Sequence, residues 1–372
     1  YILSMHLSLL KKMHSDSSFL LIGYETGYLE NKLCELGYKP ITINVSLDTK
    51  VLSSKENLFS FLEKNFLCGK NIKCIYASGL EGRNYLYSLL ESKISICGNN
   101  LSLLDKSGYI GNFTRELQKC GLKFPKTYSL RDNLLSSDKK YLFKPLNSCG
   151  GYDISKTNPR KGNMYAQEYI NGDAYSCSFI VDDNCFKLLG LNRLLNLKNH
   201  SENTYIHAGA LMTKKKFPEI FHKSIEALAR TLKMKGFNGI DFIFDGNDCY
   251  IIDINPRITS PFFLYNNICD NELLKGQITG KYNWEKINCE NRPISGFAHI
   301  FTKDNVVFTK KSTENIDCIN TPNNGDVVKC GAPIFTLISS ENDYNKNIDN
   351  LKRQIEITKE HFNIYDIILS YE

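Results

Sequence analysis

Gly239-Ile240-Asp241-Phe242-Ile243-Phe244-Asp245-Gly246-Asn247-Asp248-Cys249-Tyr250-Ile251-Ile252-Asp253-Ile254-Asn255-Pro256-Arg257 is the stretch whose reading decides the fold. Two short runs rich in Ile, Phe and Tyr flank Asp245 to Asp248, residues that tolerate the backbone angles of a tight reversal, so the pattern predicts a β-hairpin. With the turn centred on Asn247, Asp241 and Asp253 become cross-strand partners. Alternation along each strand then puts Asp241, Asp253 and Asn255 on one face. Ile240, Phe242 and Phe244, with Ile252 and Ile254 on the return strand, supply the opposite, buried face. Two carboxylates facing each other repel unless a cation lies between them, and hard oxygen donors suit Mg²⁺. A solubilising acidic surface is the plainer alternative, but the clean alternation favours a metal face. Pro256 ends the ladder, and Arg257 follows at the strand exit, where a cation faces an anion.

Upstream, Phe19 to Gly23, a helical pattern through Leu29, Leu33 and Leu36, and a strand from Ile41 to Val45 read as the opening of an α/β layer. Further strands, Lys73 to Ala77 and Ile94 to Cys97, extend it. The Gly23 to Gly27 spacing lacks the full dinucleotide fingerprint, so NAD binding finds little support. Glu81 and Arg83, at a strand end of this layer, border a substrate cleft in this reading. Leu101 to Cys120 is periodic enough for one helix. Lys106 near its start is, on its own, an ordinary solvated residue. Tyr141 to Pro145 is a strand carrying Lys144, followed by the small-residue loop Asn147 to Tyr152. Such loops wrap phosphate oxygens with backbone N–H groups, although a surface hairpin fits as well. Tyr165 to Ile170 and Ala174 to Val181 are strands, the second with Tyr175, Cys177, Phe179 and Val181 on one face. His207 closes a polar loop and is as readily a structural histidine as a functional one. Phe217 to Met234 is the helix that delivers the chain to the hairpin. After Pro293, short strands separated by turns predict a compact β module with a closing helix.

The 372 residues are too many for one ordinary core and predict two or three domains. No apolar run is long enough to span a membrane, and the apolar opening Tyr1 to Leu10 lacks a basic leader and is not a secretory signal in this reading. Thirteen cysteines, an odd and scattered set without a Cys-x-x-Cys pair, fit reduced thiols in the cytoplasm better than disulfides or zinc. The net charge of +6 comes without a long basic run or a basic-aromatic stripe, which argues against a nucleic-acid binder.

In order along the chain, Asp105-Lys106, Phe143-Lys144-Pro145 with Ser148 to Tyr152, Gln167 to Gly172, Gly239 to Phe242 and Asp253 to Arg257 resemble an ATP-grasp enzyme. Gly79 to Arg83, Gly98-Asn99, Gly190 and His207 to Gly209 are most similar to predicted ATP-dependent carboxylate ligases related to biotin carboxylase, and to tyramine–glutamate ligases. The resemblance implies a mixed α/β and α+β fold: a Rossmann-like layer over residues 1–100, an ATP-grasp domain over 101–290 and a β module over 291–372. It also implies that Lys106 and Lys144 touch ATP phosphates under a flap of Ser148, Cys149, Gly150, Gly151 and Tyr152. Gln167, Glu168, Tyr169 and Ile170 would meet adenine, with Asp173 near the ribose. Asp241, Asp253 and Asn255 would hold Mg²⁺ or Mn²⁺, Arg257 and Lys144 would be catalytic, and Glu81, Arg83, Arg193 and His207 would reach the substrates.

The activity so implied is joining a carboxylate to an amine, or a thiol, through an acyl phosphate, with ADP and phosphate released. Small molecules are its partners, with no membrane, and a homodimer is one option because related enzymes often dimerise. Two other readings stay open: bicarbonate-using carboxylation and an ATP-binding protein without turnover. Val328-Lys329-Cys330 has no Met beside the Lys and is a poor biotin site, which places carboxylation second.

Overall fold

Phe19-Leu20-Leu21-Ile22-Gly23 is buried along its whole length, as a strand covered on both faces must be. It is β1 of a computed structural model that describes residues 19–24, 26–45, 48–66, 71–130, 135–159, 162–198, 205–288 and 293–371. The opening stretch read above for a leader lies outside the described residues. With β2 (Pro40–Asn44), β3 (Ile72–Tyr76) and β4 (Ile94–Ile96), β1 forms a parallel sheet of order β2-β1-β3-β4. Helices α1 (Gly27–Glu35), α2 (Lys55–Asn65) and α3 (Tyr87–Lys93) belong to this layer. The first turn of α1, where a dinucleotide phosphate would sit, is taken by Asn320, whose Oδ1 accepts the Tyr28 N–H at 2.9 Å.

The helix predicted over 101–120 is two. Helix α4 (Leu101–Ser107) and α5 (Thr114–Lys119) are separated by a tight turn at Ile110–Phe113. Gly108 and Gly111 weaken the interior, and the Asn112 side chain takes the Lys106 carbonyl at 2.9 Å. The apolar stripe survives the break, with Leu104, Ile110, Phe113 and Leu117 all buried.

Strands β5 (Thr127–Ser129), β6 (Tyr141–Pro145) and β7 (Met164–Glu168) make a small antiparallel sheet of order β5-β7-β6. The large sheet follows, with β8 (Asp173–Val181), β9 (Phe186–Lys198), β10 (His207–Thr213), β11 (Gly236–Phe244), β12 (Cys249–Asn255) and β13 (Ile294–Phe301). Helix α6 (Glu219–Thr231) packs Phe221, Ile225 and Leu228 on the core face of that sheet. Beyond it come α7 (Phe262–Ile268) and α8 (Glu272–Thr279). The strands after Pro293 join the same sheet instead of standing apart: β13 pairs with β10, and β17 (Pro333–Glu341) with β13. Between them lie the two-residue strands Val306–Val307, Cys318–Ile319 and Val327–Val328, designated β14, β15 and β16. Helix α9 (Tyr344–Lys359) covers β17, and β18 (Asp366–Ile367) returns to pair with β9. No described helix is long and apolar enough to cross a membrane.

The deciding hairpin forms as β11 and β12, and Asp241 is opposite Asp253. Its turn lies one half-residue earlier than predicted, between Gly246 and Asn247, with the Asp245 carboxylate accepting both the Asn247 and Asp248 N–H groups. A bulge after Asp241, where Phe242 pairs with Ile251, restores the register. The buried face therefore carries Ile251, not the expected Ile252, because the extra residue turns Ile252 away from the core.

Candidate active site

One face of the large sheet is polar where it crosses the middle of the molecule. The register places Ser176 beside Asp241 and Asn192 beside Ser176, with Asp253 completing the row. Above this floor the small sheet and its loop form a roof, leaving a cleft of about 480 Å³. Lys144, Gly150, Gly151, Gln167, Glu168, Tyr169, Ile170, Asp173, Arg193, His207, Asp241, Asp253, Asn255 and Arg257 all line it. Lys106, Ser148, Glu81 and Arg83, also assigned from the sequence, do not.

Each exception has a visible cause. The Lys106 ammonium is drawn to Glu116 at 2.8 Å and lies over the Phe113 ring. Ser148 is exposed to solvent. The Arg83 guanidinium donates to the Gly79 carbonyl. Glu81 forms a buried ion pair with Arg257, 2.6 Å from Nε, and reaches the cleft only through it. Its second oxygen accepts the Gly79 N–H at 2.6 Å, which fixes the carboxylate from its own layer.

From Glu81 a chain of hydrogen bonds runs into the hairpin. Arg257 donates to Asn255 Oδ1 at 3.0 Å, and Asn255 Nδ2 donates to Asp241 Oδ2 at 3.2 Å. Arg257 is thus oriented on three sides, with the Ile258 carbonyl as the third acceptor at 3.3 Å. Its guanidinium is held above its ordinary range: burial opposes the charge, but Glu81 outweighs it.

Burial raises the Asp241 carboxyl to about 7, and the adjacent Asp253 adds to the rise. Asp253 is raised too, by burial, while Lys144 counters it. Burial lowers Lys144, against the pull of Asp253 and Asp241. Two carboxylates that resist ionising side by side form a site that a divalent cation would satisfy, and the donor set, two carboxylates and an amide oxygen, fits Mg²⁺. Among the described residues no group of three or more His, Cys, Asp or Glu gathers to hold a metal, here or elsewhere; at this pair the third oxygen is the Asn255 amide.

The loop after β6 is built for close approach. Gly150 and Gly151 have φ of 71° and 76°, and the Gly150 carbonyl accepts the His207 N–H at 2.9 Å. A Cβ on Gly151 would lie 1.9 Å from the Tyr205 carbonyl oxygen. His207 opens a strand instead of closing a loop, and burial pushes its imidazole down to about 3. On β7, the Glu168 carboxylate is held by Lys139 at 2.6 Å, and Gln167 reaches Thr127 at 3.5 Å. Asp173 binds Arg193 at 2.6 Å.

The sequence reading missed Leu142, Ile243 and Ile252, which give one end of the cleft apolar walls, and Ser176 on the floor. The alternation that set Tyr175 and Cys177 inward already put Ser176 on the opposite face. Nothing local announced Ile252, because the bulge that exposes it depends on pairing with β11.

Residues 105–261, which span the roof, the floor and the acidic hairpin, match the model of the ATP-grasp domain. This part of the chain is an ATP-grasp domain. The tyramine–L-glutamate ligase of Methanocaldococcus jannaschii is 29% identical over 268 residues, which cover 68% of this chain and 81% of that protein. In fold the chain is similar to biotin carboxylase from Campylobacter jejuni, with a TM-score of 0.68, 13% identity and coverage of 96% of this chain and 93% of that one. It is also similar to the L-amino acid ligase of Bacillus licheniformis, with a TM-score of 0.65, 12% identity and coverage of 95% and 99%. The ATP-grasp match begins at Asp105, one residue before Lys106, so the lysine that the structure holds against Glu116 belongs to the matched domain.

Proposed function

We propose that this protein is an ATP- and magnesium-dependent carboxylate–amine ligase. The observation that carries the reading is one cleft in which Lys144, Arg257 and the Asp241–Asp253 pair converge beneath a glycine loop. A carboxylate does not react with an amine at neutral pH, because oxide would have to leave. In the proposed first step a carboxylate oxygen of the substrate attacks the γ-phosphorus of ATP. The bond to the bridging oxygen breaks, ADP departs with that electron pair, and an acyl phosphate remains. In the second step the amine attacks the acyl carbon, the C–N bond forms, phosphate leaves with the C–O electron pair, and the nitrogen loses its proton to solvent. Phosphoryl transfer depends on placement and charge neutralisation more than on a protein nucleophile.

In this reading Gln167, Glu168, Tyr169 and Ile170 border the base, with Ile243 and Ile252 as apolar walls, and Asp173 lies toward the ribose. Lys144 meets phosphate oxygens, and Lys106 joins it only by exchanging Glu116 for phosphate. Asp241, Asp253 and Asn255 would hold Mg²⁺, which when bound offsets the phosphate charge. Arg257, steadied by Glu81, orients the substrate carboxylate, and the loop with Gly150 and Gly151 excludes water from the acyl phosphate. The 29% identical relative named for a carboxylate–amine ligation supports the bond type.

The test is ADP formation by the purified protein with MgATP and pairs drawn from amino acids and amines. Release that requires both an acid and an amine is the expected result. ADP formed with bicarbonate alone would replace this reading with carboxylation, and tight MgATP binding without turnover on any pair would replace it with a nucleotide-binding role.

A further inference from the structure

Ser176 is buried, yet it lines the floor of the cleft. Alternation turns its neighbours Tyr175 and Cys177 into the core under α6, which leaves Ser176 on the polar face. Across the ladder its direct partners are Asp241 on β11 and Asn192 on β9. Asn192 Nδ2 donates to Ser176 Oγ and to Ser178 Oγ, each at 3.2 Å, while its Oδ1 accepts Tyr265 Oη at 2.8 Å. Asn192, Ser178 and Tyr265 are all buried. Gly190 makes room for the phenol, since a Cβ there would lie 2.6 Å from Oη. A buried polar network of this kind is costly unless its members satisfy one another, and this one runs from α7 through β9 to β8. At its cleft end it holds the Ser176 hydroxyl.

The consequence falls on one hydrogen. A serine hydroxyl has one proton and two lone pairs. The Asn192 amide takes a lone pair from the β9 side, so the proton is turned toward the cleft. The neighbouring carboxylates have donors of their own: Asp241 accepts Asn255 Nδ2 at 3.2 Å, and Asp253 accepts the Ile254 N–H at 3.0 Å. Along β8, Ser176 lies three residues beyond Asp173, about 10 Å at the rise of a strand. With the ribose toward Asp173 and the metal at Asp241 and Asp253, this is the level that a terminal phosphate reaches. Lys144, whose charge interacts with both aspartates, faces the same level from the roof. A hydroxyl there adds a hydrogen bond to phosphoryl oxygen without adding charge beside the metal.

We infer that Ser176 is a further catalytic residue, whose hydroxyl donates a hydrogen bond to the terminal phosphoryl group of ATP, with Asn192 and Tyr265 as the positioning residues that aim it. The serine keeps its proton and forms no covalent bond. The assignment rests on the ATP-dependent reading of the cleft, but its binding test does not require turnover.

The probes are MgADP and MgAMPPNP, which differ by the terminal phosphate, titrated calorimetrically into the full chain. Ser176→Ala should weaken MgAMPPNP about tenfold, the effect of a lost hydrogen bond to a charged group, and leave MgADP affinity unchanged. Ser176→Thr keeps the hydroxyl and should retain the wild-type ratio of the two affinities. Tyr265→Phe leaves the Asn192 amide without its donor and should lower that ratio in the same direction by about threefold, a change that a merely structural role would not confine to one nucleotide. An unchanged ratio in Ser176→Ala, an equal loss of both nucleotides, or a threonine variant that behaves like alanine would each overturn the assignment while the nucleotide reading stands. Wild type that binds neither nucleotide would overturn both. A Ser176-dependent ratio in a protein that forms no ADP with any pair of acid and amine would uphold the assignment and remove the ligase reading.

Discussion

Asp241 and Asp253 face each other across a ladder, and neither has a lysine or arginine within ion-pair distance among the described residues. Charge repulsion of this kind is relieved by a cation, so Asp241→Asn should leave the metal-free fold as stable as wild type or more so. The same variant should lose Mg²⁺-dependent nucleotide binding and at least about a hundredfold in turnover, which titration calorimetry and an ADP assay would register. Glu81→Gln should behave in the opposite way. It strands the buried Arg257 without its anion, at about 3 kcal/mol of stability by urea unfolding, and raises KM for the carboxylate more than for ATP. A third residue-scale effect concerns His299, buried with its Nδ1 2.9 Å from Thr336 Oγ1 and its ring 5.7 Å from that of His207. Burial lowers its imidazole from 6.5 to about 3. The folded state thus disfavours protonation, so its contribution is complete above pH 6.5 and is lost as pH falls toward 3. His299→Gln should flatten the decline of melting temperature on acidification, seen by calorimetry across that window.

At the scale of elements, the hairpin and the glycine loop shape the cleft through their irregularities. The bulge in β12 lets two carboxylates share a face with Asn255 while turning Ile252 toward the cleft. The loop after β6 docks on the chain before β10 because Gly151 has no side chain. Gly151→Ala would place a Cβ 1.9 Å from the Tyr205 carbonyl at a φ of 76°, so the docked form should be disfavoured. ATP affinity is expected to fall about tenfold or more, with faster proteolytic cutting within Asn147–Asp153 and little change in melting temperature. Equal cutting of variant and wild type would show that this docking does not close the loop.

Across the whole molecule, the parallel layer is joined to the large sheet by buried polar groups. Asn99 Nδ2 donates to Asn238 Oδ1 at 2.7 Å, Gln277 Nε2 donates to the Cys97 carbonyl at 2.7 Å, and Tyr76 Oη donates to the Pro256 carbonyl at 3.1 Å. These contacts set the distance between Glu81 and Arg257, which come from different layers. Removing one partner leaves another buried group unsatisfied, so Asn238→Ala should cost about 1–3 kcal/mol and raise the carboxylate KM alongside. Chemical unfolding and steady-state kinetics on the same variant would check both.

Much of this was readable from the chain alone, because it depends on neighbours in sequence. Period-two alternation and a turn of Asp, Gly and Asn set the acidic hairpin, and Lys144 followed by two glycines marked the loop beside it. Residues whose roles depend on partners in other elements were not so readable. Lys106 was assigned to phosphate, yet Glu116 holds it; Glu81 was assigned to substrate, yet it positions Arg257. The strands after Pro293 had the pattern of a module, but only the pairing of β13 with β10 made them part of the central sheet. Local pattern fixes which face a side chain points from, since that follows from backbone geometry over a few residues. Which anion meets which cation, ten residues away for Lys106 and Glu116 but 176 for Glu81 and Arg257, and that Ile368 comes to line the cleft, arises from contacts between elements, and only the folded chain brings them together.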